Sequence, residues 1–124
     1  MRRWAAWVPA ALWAAGIFVL SSRPSLPVPG FSGADKAAHF GAYAVLGAFL
    51  AHGAAASGLG PAAPVALGWA YGASDELHQA RVPGRSPDVW DWVADALGVV
   101  AGLVTYRRLF RSRLLPRTRA GREA

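Results

Sequence analysis

Apolar and small residues run almost unbroken through most of this chain, and their interruptions come in a regular order. Trp4 to Leu20 is apolar and is closed by Ser21-Ser22-Arg23-Pro24, after which Pro, Gly and Ser dominate as far as Ala34 and predict a loop. From Ala37 to Ser74 there is no Lys, Arg, Asp or Glu. That stretch is too long for one membrane crossing of about 20 residues and suits two, joined by the turn Ser57-Gly-Leu-Gly-Pro61. Arg81-Val-Pro-Gly-Arg-Ser-Pro87 then breaks the chain before a last apolar run that ends at Tyr106. The pattern predicts helices over 4–20, 36–56, 61–80 and 88–106, with Pro9 inside the first, where a membrane helix tolerates it. The predicted fold is therefore an all-α membrane protein. It is a bundle of four transmembrane helices within residues 1–106, followed by a basic cytoplasmic tail over 107–124. A secretory signal peptide is the rival reading of the first run, but no A-x-A site follows it and the run is long for a signal.

Composition supports this class, since 54% of the 124 residues are hydrophobic and only 16% charged, below the roughly 25% of average soluble domains. The net charge of +6 is unevenly spread. Arg2, Arg3, Arg107, Arg108, Arg111, Arg113, Arg117, Arg119 and Arg122 lie in the two ends, whereas the interior sets Arg23, Lys36, Arg81 and Arg85 against six acids. Basic ends beside apolar spans follow the cytoplasmic bias of Lys and Arg, so nucleic acid is not an expected partner. With an even number of spans both termini are then cytoplasmic, and the loops around 21–35 and 81–87 face outward. Attraction to anionic lipid explains the tail. The chain has no Cys, which excludes disulfides and thiolate metal sites.

Helical spacing lines up the remaining polar residues. Lys36, His39, Tyr43 and Gly47 share one face of the second helix. Gly68, Gly72, Glu76 and Gln79 do so on the third, with Asp75 alongside, and Asp88, Asp91, Asp95, Gly98 and Gly102 on the fourth. Each line is polar towards the outer end and small towards the inner end, and Gly98 to Gly102 has G-x-x-x-G spacing. At a rise of about 1.5 Å per residue, Tyr43, Glu76 and Asp95 all come out roughly 10 Å beneath the outer surface. Acids at that depth are costly and should be paired. Arg85 is the first choice of partner, ahead of Lys36 and Arg81, because its flanking glycine and prolines can fold the loop into the bundle mouth. A salt-bridged network could serve only to hold the helices together. The functional alternative is a polar pocket open to the outer face between helices two, three and four.

Other chemistries find less support. Asp75-Glu76-Leu77-His78 lacks H-E-x-x-H spacing, and His78 sits about 200° from Glu76 around the helix, so no metal and no other cofactor is expected. Ser74 or Ser86 as a nucleophile would need His39 as base. His52 reads as a packing residue or one near the inner surface, and Trp4, Trp7, Trp90 and Trp92 as interfacial.

The set Asp35-Lys36-x-x-His39-Phe40-x-x-Tyr43-x-x-Leu46-Gly47, Asp75-Glu76-x-His78-Gln79, Val82-Pro83-Gly84-Arg85-Ser86-Pro87-Asp88-x-x-Asp91 and Asp95-x-x-Gly98-x-x-x-Gly102 resembles the VanZ-like family. The resemblance covers roughly Asp35 to Gly102. It implies a small bacterial integral membrane protein, multi-pass in the cell (inner) membrane. The family's founding member is associated with low-level resistance to the glycopeptide antibiotic teicoplanin. The motif positions it implies are Asp35, Lys36, His39, Tyr43, Glu76, Gln79, Arg85, Asp88, Asp91, Asp95 and Gly98, with Asn or Asp at the position of Asp95. The expected function is an envelope protein whose outer pocket recognises a polar group of a lipid-linked wall precursor or a lipoglycopeptide. The alternatives are an intramembrane hydrolase or transferase using Glu76 or His39 as general base, and a subunit that binds another membrane protein. In each case the lipid bilayer is the surrounding partner.

Overall fold

The computed structural model describes residues 2–24 and 33–114, so the core of the 24–34 loop and the end of the basic tail lie outside the described residues. Among the described residues all regular structure is helical. A 3-10 turn, Arg3–Trp7, leads into α1, Val8–Ser21. Then come α2, Ala34–Ala56; α3, Ala62–Gln79; α4, Val89–Leu109; and a short α5, Arg111–Leu114. The boundaries differ from expectation in two places. Pro9 is not inside a continuous first helix but in the first turn of α1, where its missing N–H costs nothing. The last long helix runs past Tyr106 through Arg107 and Arg108, whose charges suit the carbonyl end of the helix dipole.

The four long helices alternate in direction, as contacts at each end show. At one end Ser22 Oγ lies 3.0 Å from His78 Nε2, and Lys36 reaches Asp88. At the other, Trp7 Nε1 donates to Ser57 Oγ at 2.9 Å and His52 Nδ1 lies 3.3 Å from the Tyr106 hydroxyl. The α2–α3 turn has a local cause. Gly58 has φ of 71°, and the Leu59 and Gly58 amides return to the carbonyls of Ala54 and Ala55, closing α2 with a Schellman motif.

The tightest packing is between α2 and α4. A Cβ on Gly102 would overlap the carbonyl oxygen of Ala44, one on Gly98 that of Phe40, and one on Gly47 the backbone of Val99. These glycines put two backbones in direct contact, and side chains near them are buried: Tyr43, Leu46 and Val99 at 1% exposure or less. Helix α3 joins the pair by laying Gly68 against Val99 and Gly72 against Tyr43 and Asp95. Helix α1 packs chiefly on α2, with fewer contacts to α3. It is tied by the Tyr71 hydroxyl to Ala14 O and by Trp13 Nε1 to Ala42 O.

The burial pattern is inverted relative to a water-soluble bundle. Leu12 and Leu77 are 70% and 72% exposed, while Asp95 is 1% exposed and Asp75, Gln79 and Asp91 are also buried. Two stretches, Arg3–Ser21 and Val89–Leu109, are long and apolar enough to cross a bilayer. Helix α2 carries Asp35, Lys36 and His39 in its first two turns, and α3 carries Asp75, Glu76, His78 and Gln79 in its last two.

Candidate functional site

The polar residues gather where α1 and α3 end and α2 and α4 begin. Asp88 is the N-cap of α4: its Oδ1 accepts from the Trp90 amide at 2.9 Å, satisfying one of the donors a helix start leaves open. Its other oxygen takes a hydrogen bond from Lys36 Nζ at 2.8 Å, and Lys36 also reaches Asp35 at 3.1 Å and Asp91 Oδ1. One ammonium thus bridges three carboxylates from two helices. Asp88 precedes the apolar helix, and the Lys36 hydrogen bond, followed by that of the Trp90 amide, holds its carboxyl below the usual carboxylate range.

One helical turn deeper is a second layer. His39 Nδ1 lies 2.8 Å from Asp95 Oδ1, and its Nε2 is 3.7 Å from Asp91 Oδ2. Glu76 Oε2 accepts from the Asp88 amide at 3.2 Å. One donor atom from each of His39, Glu76 and Asp95 lies within 4.8 Å of the other two. Beside them the Tyr43 hydroxyl donates to Asp75 Oδ2 at 3.1 Å. Tyr43 and Asp95 share a level across α2 and α4, since a Cβ on Gly72 of α3 would meet both at 3.4 Å.

Arg85 departs from expectation. Among the described residues it pairs with no acid; its Nη1 donates to the carbonyl of Arg23 at 3.1 Å. The cause is the preceding turn. Pro83 and Gly84, with φ of 80°, close a turn in which the Arg85 amide bonds Val82 O at 3.1 Å. This directs the guanidinium towards the end of α1, and Lys36, already on α2, pairs with Asp35, Asp88 and Asp91 instead.

The cleft at this end is also displaced from where the stripes suggested. It lies between α1, α2 and α3, where the stripes had suggested α2, α3 and α4. Its volume is about 110 Å³. Tyr43, Asp75, Gln79, His39 and Arg85 supply its polar lining, and Ile17, Leu20, Ala38 and Ala42 its apolar walls. The same three helices line a larger apolar groove of about 290 Å³ among Trp7, Ala10, Ala14, Leu46, Leu50 and Leu67.

Of the expected site residues, Asp35, Lys36, Asp88 and Asp91 form the outer layer, and His39, Glu76 and Asp95 the inner one. Tyr43, Gln79 and Arg85 line the cleft. Asp75 was passed over in favour of Glu76, yet it is the more buried and holds Tyr43. The signal was present, since Gly68, Gly72, Asp75 and Gln79 keep 4-3-4 spacing and are all buried. Glu76 lies to one side of that line, towards α4. His78 turns away as the helix angle required, stacking on Phe18 of α1 at 4.7 Å. Ser74 is exposed and donates to Tyr71 O, so it forms no pair with His39.

A family model described as VanZ/LLP1 matches residues 3–111, nearly the whole chain. The chain belongs to the VanZ/LLP1 family. No curated protein and no solved structure matches it. For this VanZ-type protein the match takes in α1 and the preceding 3-10 turn, which the motif-bearing segment from Asp35 to Gly102 had left out. It therefore includes every helix that lines the cleft.

Proposed function

We propose that this VanZ-type protein crosses the bacterial cell membrane four times, with both termini in the cytoplasm, and binds the anionic head of an envelope amphiphile in its outer cleft. The inverted burial supports the four spans. Phe40 and Val45 on α2, and Leu67, Trp69 and Leu77 on α3, present apolar surface outward while Tyr43 of α2 and Asp75 and Gln79 of α3 point in. A polar interior and an apolar exterior suit lipid as the surrounding solvent. Arg2, Arg3, Arg107, Arg108 and Arg111 at the opposite end from the cluster favour the orientation.

The observation that carries the ligand reading is Arg85. Among the described residues it is in no ion pair, its guanidinium is committed only to one carbonyl, and it lines a cleft of mixed polar and apolar walls. A planar cation with donors to spare suits a phosphate or carboxylate. The apolar groove along the same three helices suits an acyl or prenyl chain. Lipid-linked wall precursors and lipoglycopeptides such as teicoplanin combine these parts, which connects the cleft to glycopeptide resistance.

The test is binding to the chain in lipid nanodiscs, using a fluorescent polyprenyl-pyrophosphate precursor and, separately, labelled teicoplanin. A charged hydrogen bond contributes about 1.5–3 kcal/mol, so Arg85→Ala should weaken binding by roughly 10- to 100-fold with unchanged helix content. Equal affinity of the variant, or no binding by the wild type, removes this reading.

A further inference from the structure

We infer that His39, Glu76 and Asp95 form a binding site for a divalent transition-metal cation of the zinc type. The three residues come from α2, α3 and α4, and a donor atom from each falls within 4.8 Å of the others. With metal–ligand bonds of about 2.0–2.2 Å, two ligands of one ion stand about 3.0–3.5 Å apart, so small side-chain rotations would bring this set onto an ion. The backbones that carry them are already fixed by the glycine contacts of α2 with α4 and of α3 with Val99.

A second observation points to a ligand. Glu76 Oε1 and Asp95 Oδ2 are buried and have no hydrogen-bond partner among the described residues, and Asp95 is 1% exposed. Each acid is held by one oxygen, Glu76 by the Asp88 amide and Asp95 by His39, and leaves the other free. Buried polar atoms are nearly always partnered, so two orphaned carboxylate oxygens from different helices in one cluster need an account.

Charge gives the same answer. Lys36 is engaged with Asp35, Asp88 and Asp91, and no Lys or Arg among the described residues pairs with Glu76 or Asp95. Two carboxylates match the charge of one divalent ion. An imidazole in the set favours zinc and its neighbours over magnesium and calcium, which prefer oxygen alone. Three protein ligands leave a coordination position open to water or to an anionic oxygen of a bound molecule.

The experiment uses the full chain purified in detergent, stripped with a chelator, then dialysed against Zn²⁺, with Mg²⁺ and Ca²⁺ in parallel. Metal analysis should find about one Zn²⁺ per chain, and Zn²⁺ but not Mg²⁺ or Ca²⁺ should raise the unfolding temperature. His39→Phe and Glu76→Met should each lose the metal, whereas His52→Gln, which alters an imidazole at the other end of the bundle, should keep it. If the variants lose helix content, the wild-type stoichiometry and the absorption spectrum of its Co²⁺ form decide the matter alone. Substoichiometric Zn²⁺ in the wild type, or equal Zn²⁺ in a folded His39→Phe variant, overturns the site. No lipid or drug enters these measurements, so their failure leaves the cleft reading standing and its failure leaves the metal site standing.

Discussion

Gly102→Ala is expected to destabilise the protein by about 2–3 kcal/mol, at the upper end of the usual cost of overpacking. The added methyl would meet backbone: the Ala44 carbonyl oxygen and carbon, and the Ala48 amide nitrogen. Backbone cannot rotate away as a side chain can, so α2 and α4 would have to separate. Separation would also loosen Gly98 and Gly47, which belong to the same seam, and with them the ion pairs that α2 and α4 share. Gly16→Ala is the internal control. Its Cβ would meet nothing within 4 Å, and on α1 the change should be neutral or stabilising by up to about 1 kcal/mol. Unfolding followed by circular dichroism in detergent measures both, and a Gly102 variant as stable as the Gly16 variant would refute the close approach.

The second large effect is expected at Lys36. Methionine keeps the apolar stem and removes the charge, leaving Asp35, Asp88 and Asp91 facing one another. Exposed pairs are worth about 0.2–1 kcal/mol, and breaking a buried one costs about 3–5. Lys36 lies between these limits, its side chain 35% exposed and that of Asp91 only 10%. A loss of about 2 kcal/mol follows. A pH signature accompanies it. The Asp88 carboxyl is held below its ordinary value of 3.8, chiefly by Lys36. Its stabilising contribution is therefore present above that value and fades as the pH falls through the lower folded-state pKa. Lys36→Met should flatten this acid limb as well as lower stability at neutral pH. Unfolding from pH 2 to 7 tests both, and an unchanged acid limb would show that another group holds Asp88.

The sequence carried the helices and the layers of the site further than it carried the partners. Periodicity works for residues such as Lys36, His39 and Tyr43, whose spacing on one helix is a property of that helix alone. The Gly98 and Gly102 spacing likewise announced a close contact, and the structure places α2 there. Arg85 defeated the same approach because its direction depends on a Pro-Gly turn and on where α1 ends, neither of which periodicity records. The cleft was misplaced for a related reason. A count along α2, α3 and α4 shows which groups share a level but not where α1 lies against them. His39, Glu76 and Asp95 have no local ligand motif, since one comes from each of three helices and only the fold brings them together.

The side-chain attachment of α1 has a mechanical consequence. Helices α2 and α4 touch backbone to backbone and behave as one rigid post, with α3 keyed into it by Gly68 and Gly72. Helix α1 is held by side chains, with Ala10 and Ile17 buried in the core and hydrogen bonds through Tyr71, Trp13 and Ser22. If the proposed amphiphile enters the cleft from the side, α1 is the helix expected to swing outward, because it has no backbone-to-backbone seam of the α2–α4 kind to break. A crosslink stapling α1 to α3 would shut that door while leaving the post intact.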